Sequence, residues 1–143
     1  MRLNTCFKKR LLRRERPDVE KSRRSIEVAR AKLNAAEKAV SHGLLDATVV
    51  LAYTTMFHAA RAILFKDGII EKSHVCLIAY LREKYVNTGR LSGALINTLD
   101  SIRIDRHETL YGLETESSEN DARYCLNKAS EFLSTVSRIF GFK

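Results

Sequence analysis

A single proline, six glycines and no tryptophan stand among 143 residues. Collagen-like, Gly/Pro-rich disordered and many-turned all-β folds need more of these residues and are excluded. The three cysteines, Cys6, Cys76 and Cys125, are odd in number and far apart, with no CxxC pair. That pattern is neither a disulfide framework nor a zinc site, and it predicts reduced structural thiols. A long uninterrupted apolar run is also missing. Residues 47–65 come nearest but carry His58, Arg61, Thr48, Thr54 and Thr55. A membrane span needs about 20 mostly apolar residues with few charges, so a buried soluble helix is expected instead. The first 25 residues lack the apolar stretch of a signal peptide, which points to a cytoplasmic protein. The length fits one domain, enough to bury roughly two-thirds of the unfolded surface.

Acidic residues are scarce at the start of the chain. Residues 1–24 hold ten Lys/Arg against Glu15, Asp18 and Glu20, about +7 of a total formal charge of +8. A localised basic segment attracts phosphate backbones or an acidic partner, or is simply a solvated arm beside a helix. Neither RGG repeats nor an interleaved aromatic ladder is present. The segment 1–16 is therefore set apart as a basic N-terminal segment ahead of a bundle over 17–143.

What is there is helical periodicity. Leu3 to Arg14 reads as a short basic helix closed by Pro17, which a helix interior does not accommodate. From Asp18 to Ser41, Val19, Ile26, Ala29, Leu33, Ala36 and Val40 recur at spacings that draw one apolar stripe. Leu44 to Lys66 is apolar nearly all round, as a central bundle helix is, and Asp67-Gly68 stops it. Ser73 is a candidate N-cap for a helix to about Asn87, with Val75, Leu77, Ile78, Leu81 and Tyr85 inward. Further helices are expected over about 91–110 and about 119–140, the last with Ala122, Leu126, Ala129, Leu133, Val136 and Phe140 inward. No strand is expected. Short connections give antiparallel neighbours, so the fold class is all-α, an up-and-down antiparallel bundle of four to five helices.

Some polar groups sit against this pattern. Leu95, Leu99, Ile102 and Leu110 define the inward face of the fourth helix of the bundle, and Arg106 falls near its middle. Arg103 lies at the edge with Ile96, while Asp100, His107 and Tyr111 follow along the adjoining side. A guanidinium on an apolar stripe is costly unless it is paired or faces a cleft or a subunit interface. On the central helix Thr54, His58 and Arg61 point roughly one way. His58, His74 and His107 lie on separate segments without metal-ligand spacing, so no metal is expected. No phosphate loop, nucleophile elbow or strand–helix alternation is present, and no cofactor is expected.

Tyr53-Thr-Thr-Met-Phe-His-Ala-Ala-Arg-Ala-Ile-Leu64, Lys72-Ser-His74, Leu81-Arg-Glu-Lys-Tyr-Val86 and Arg103-Ile-Asp-Arg-His-Glu-Thr-Leu-Tyr-Gly112 together resemble the HEPN family (higher eukaryotes and prokaryotes nucleotide-binding). The closest likeness is to its small single-domain prokaryotic branch, over about residues 10–140. The resemblance implies an α-helical bundle that dimerises. Many such proteins are RNases whose paired Arg-x4–6-His motifs meet at the dimer cleft; others bind nucleotides or act as scaffolds. Small prokaryotic members often pair with a minimal nucleotidyltransferase in toxin–antitoxin-like systems. Carried onto this chain, Arg106 matches the motif arginine and would face the dimer cleft. With four residues between, Tyr111 occupies the histidine position, and His107 directly follows the arginine.

RNA cleavage needs a base or acid near the 2′-hydroxyl and a cation for the developing phosphate charge. Arginine supplies the cation, but tyrosine, with an ordinary pKa of about 10, is a poor base. Three readings follow. The first is nucleotide or RNA binding in a dimer cleft lined by Arg103, Arg106, His107 and Tyr111, beside a nucleotidyltransferase partner. The second is an active metal-independent RNase toxin using Arg106 and His107, with Tyr111 the remaining catalytic candidate. The third is a structural helical subunit without catalysis, in which Arg106 sits in a buried ion pair.

Overall fold

The computed structural model describes residues 2–111 and 117–141, and the side chains of 2–104 and 117–141. In chain order the elements are α1 (Leu3–Lys8), β1 (Leu12–Arg14), α2 (Val19–Ser41), α3 (Leu45–Asp67), β2 (Ile69–Glu71), α4 (His74–Leu81), α5 (Gly93–Tyr111) and α6 (Glu119–Ile139). A single π-helical turn, Arg82–Val86, prolongs α4. The architecture is an all-α bundle of the expected kind, with α3 at its centre packed by α2, α5 and α6. By length and composition α3 would suffice to cross a membrane, yet most of it is buried inside the bundle.

Local chemistry sets the helix ends. The Asp18 carboxylate accepts the Lys21 N–H at 2.9 Å, Ser73 Oγ accepts the Cys76 N–H at 3.2 Å, and Ser118 Oγ accepts the Asp121 N–H at 3.0 Å. Each satisfies an N–H that the first helical turn leaves without a partner. Gly68 closes α3 in the left-handed region at φ 78°. A Cβ there would lie 2.5 Å from the Glu15 carbonyl oxygen, so the incoming chain demands glycine as well.

Small side chains let the central helices approach closely: Ala29 and Ala36 on α2, Ala52, Ala59 and Ala60 on α3, and Ala122 and Ala129 on α6 are fully buried. Two buried serines of α2 reach across to α3. Ser22 Oγ donates to the Ala62 carbonyl at 2.7 Å and Ser25 Oγ to the His58 carbonyl at 2.6 Å. These carbonyls already serve the helix ladder, so each serine hydroxyl is satisfied without disrupting α3.

The N-terminal segment departs from expectation. The helix over Leu3–Arg14 ends at Lys8, because Arg10 takes a left-handed φ of 58°. Leu12–Arg14 then forms a strand antiparallel to β2, with Leu12 opposite Glu71 and Arg14 opposite Ile69. Leu12 is almost fully buried, and its burial together with the β2 ladder outweighs local helix propensity. Cys6 and Cys76 are joined by a disulfide, with Cα atoms 5.7 Å apart. The expectation of reduced thiols is thus corrected for this pair: α1 packs on α4, a juxtaposition that a separation of 70 residues conceals. Cys125 is buried and outside the disulfide. Val19 and Val75 were expected inward but are 53% and 41% exposed, each in the first turn of its helix before the helix reaches the core.

Candidate functional site

The helix α5 carries the residues singled out by sequence. Leu95, Ile96, Leu99 and Ile102 are buried, so the inward face of the helix is fixed by apolar packing. Arg103 stands at the edge of that face, where its Nε lies 3.1 Å from Asp100 Oδ1. It opens onto a groove of about 250 Å³ lined by Val75, Ile78, Ala79, Arg82, Asp100 and Arg103. Across the groove, Arg82 Nη1 donates to Asn97 Oδ1 at 2.7 Å. Two guanidinium groups face one carboxylate, which leaves the groove cationic. Arg106, His107 and Tyr111 fall on the last two turns of α5, and their side chains lie outside the described residues, as does that of Leu110.

A second cluster sits where α3 meets the start of α4. The Tyr53 hydroxyl and His74 Nδ1 are 2.6 Å apart. The His74 ring lies 4.2 Å, centroid to centroid, from Phe57 and 5.6 Å from Tyr53, and the Tyr53 and Phe57 rings stack at 6.2 Å. Tyr53 and Phe57 are one turn apart on α3, and the Ser73 cap fixes the backbone that presents His74. The phenol and the imidazole form a hydrogen-bonded pair in which the donor is set by the imidazole tautomer. In the sequence these residues carry the family resemblance but do not stand out as a site. The i, i+4 spacing of Tyr53, Phe57 and Arg61 beside a capped His74 is the signal that would have marked one.

The polar strip of α3 divides among separate tasks. Thr54 Oγ1 donates to the Val50 carbonyl of its own helix at 2.8 Å. Burial first, then Arg61 and Lys32, hold the half-buried His58 imidazole below its usual range, so it is neutral near pH 7. Arg61 turns to Glu71, Nε to Oε1 at 2.6 Å, and its guanidinium lies 5.0 Å from the Phe65 ring centroid. The approach is off the N–H direction, so it is a close ion contact rather than a linear hydrogen bond. Glu71 is nearly inaccessible; burial raises its carboxyl pKa while Arg61 opposes the rise.

Behind the groove, Tyr80 and Tyr85 both donate to Asp67 Oδ2, at 2.9 and 2.7 Å. Burial first, then the Asp67 carboxylate, push both phenols above the ordinary tyrosine range and keep them protonated. This double anchor ties the end of α3 to α4 and its π-helical turn, and so sets one wall of the groove. Among the described residues, no three His, Cys, Asp or Glu side chains converge as a metal site.

A six-helix bundle around one apolar helix, with a cationic groove between its fourth and fifth helices, defines the class of protein. Residues 22–139 match the HEPN domain family, and the chain belongs to it. Among its relatives is UPF0332 protein PH1297 of Pyrococcus horikoshii, 27% identical over 97 residues, covering 68% of each chain. Another is a protein of Methanocaldococcus jannaschii named "Putative toxin MJ0142", 25% identical over 113 residues, covering 79% of this chain and 77% of that one.

Proposed function

We propose that this protein binds a nucleotide or RNA in a dimer cleft built on α5, and acts in the cytoplasm with a minimal nucleotidyltransferase in a toxin–antitoxin-like pair. The cationic groove carries this reading: Arg103 is oriented by Asp100, Arg82 faces it, and Arg106, His107 and Tyr111 follow on the same helix. A fixed guanidinium is pre-organised for a phosphate and stays charged at any working pH. Membership of the HEPN family and a relative named as a toxin support the same reading. In the binding cleft Arg103 and Arg106 hold the phosphate, while His107 and Tyr111 meet the base or sugar. Tyr111, a poor base near pH 7, stands at the motif histidine's position, and His107 directly follows Arg106 instead of lying at the motif spacing, so binding dominates over turnover.

The test is incubation of purified protein with RNA, wild type beside Arg106→Ala and His107→Ala, with native mass recorded on the same samples. The expected result is a dimeric wild type that leaves RNA largely intact. Cleavage that disappears in both folded variants would overturn it and make the protein an RNase. A monomeric mass at working concentration would remove the dimer cleft.

A further inference from the structure

The basic N-terminal segment lies outside the family match, which begins at residue 22, and the site on α5 leaves it without a role. Beside it is a concavity of about 370 Å³ lined by Asn4, Phe7, Arg10, Leu12, Arg13 and Arg14. A second, of about 410 Å³, is lined by Arg2, Leu3, Asn4, Ala79, Arg82 and Glu83, among others. The first two share Asn4, and the second shares Ala79 and Arg82 with the α5 groove. The three concavities therefore adjoin at these residues and together make a trough that reaches from Arg103 to Arg14.

We infer that this trough is a track for single-stranded RNA, leading from the α5 cleft across α4 and α1 to the β1 arginines; the inference rests on the RNA reading proposed above and extends it. Six arginines line the trough (2, 10, 13, 14, 82 and 103) against two carboxylates, Glu83 and Asp100. Asp100 is engaged with Arg103, and Glu15, just beyond the trough, with Arg13 at 3.2 Å. Arginines spaced along a groove match the regular charges of a phosphate backbone. The floor is apolar, with Leu3, Leu12 and Ile78 buried and Phe7 and Ala79 half-buried. The Arg14 guanidinium carbon lies 4.4 Å over the Phe7 ring, a cation–π pair that a base can join by stacking. Spaced arginines beside an apolar floor and an aromatic ring fit a nucleic-acid strand, whose bases stack where its phosphates are held.

The disulfide and the β1–β2 pairing hold this arm in place. Arg10 holds φ 58°, a left-handed conformation that aims the chain into the turn before β1. The backbone that carries the track's arginines is therefore a fixed part of the fold.

The experiment is fluorescence anisotropy with a labelled single-stranded oligouridylate of about ten nucleotides, a length typical of such channels, titrated at several salt concentrations. The triple variant Arg10→Gly, Arg13→Gln, Arg14→Gln removes the arm's charge, glycine being at ease at the φ of Arg10. Each phosphate contact on a single strand contributes roughly 0.7 to the slope of log affinity against log salt. The triple variant should therefore flatten that slope by about 2, and its gap from wild type should narrow about 15-fold between 50 and 200 mM salt. Arg2→Gln, in the middle of the track and outside the α5 groove, should flatten it by roughly 0.7 and serves should the triple variant fail to fold. An unchanged slope in either folded variant, with binding still weakened by Arg103→Ala, overturns the track and leaves the α5 reading standing, the arm then being a surface for an acidic protein. A flattened slope with Arg103→Ala binding like wild type keeps the arm as an RNA contact and rejects the α5 cleft. A wild type that binds no oligouridylate rejects both.

Discussion

Arg61→Ala is expected to cost about 3 kcal/mol of stability near neutral pH, the lower end of the range for breaking a buried ion pair, because 31% of the arginine side chain still meets solvent. What remains is Glu71, its side chain 5% exposed, with no cation to offset the loss of water. The pH dependence identifies the cause. Burial already raises the Glu71 carboxyl, and Arg61 is the main influence lowering it. A carboxyl whose folded pKa is raised prefers its neutral form in the folded state. Its contribution is most favourable below the unfolded pKa and is lost as pH rises through the folded value. Without Arg61 the folded pKa rises further, so the penalty should be full near neutrality and shrink toward pH of about 4.5. Urea unfolding of both proteins at the two pH values checks this. An equal loss at both would assign the effect to the arginine's packing on Phe57 and Phe65 instead. The double change Arg61→Met, Glu71→Leu should recover most of the loss, since an apolar pair leaves no charge buried.

Cys6→Ser is expected to destabilise the protein by about 4 kcal/mol, the chain-entropy value for a loop of this size, the bridge spanning 70 residues. The dependence of α1 on this bond is structural. A helix of six residues is too short to persist alone. The segment is fastened elsewhere by the buried Leu3 and Leu12, by three-residue strands and by isolated backbone bonds, such as Glu15 N–H to the Gly68 carbonyl at 2.8 Å. Denaturant unfolding of wild type with and without reductant should reproduce most of the loss seen in Cys6→Ser. Cys125→Ala, outside the disulfide, should not become sensitive in the same way. Identical unfolding of wild type in both conditions would exclude a stabilising role for the bridge. Arg61 and Cys76 flank the same α3–α4 junction, so both changes loosen the wall that carries Arg82 and the arm beside it.

The helices were legible in the sequence because their signals are local. The stripe of α2, the all-apolar α3, the stop at Asp67-Gly68 and the Ser73 cap each depend on residues within one or two turns. The features that escaped are long-range. Leu12 and Glu71 form a strand pair although 59 positions apart, and the register appears only when α3 has brought them together. The Cys6–Cys76 bridge, the serine bonds from α2 to α3 and the Arg61–Glu71 pair arise in the same way. The same division holds at the site. Arg103 was legible because it interrupts the edge of the α5 stripe. Arg82 was not, because it follows an ordinary helical pattern and acquires its role by facing Asn97 and Asp100 across the groove. His74 gained its partner from a residue one helix earlier.

Whether the α4–α5 groove holds RNA decides what the protein does. The direct measurement is titration of a labelled single-stranded RNA with wild type and with Arg103→Ala, each shown to be folded. Saturable binding by wild type is expected, with a loss of about tenfold in the variant, equivalent to about 1.4 kcal/mol. Equal affinity of the two proteins, or a folded wild type that takes up no RNA, would contradict it.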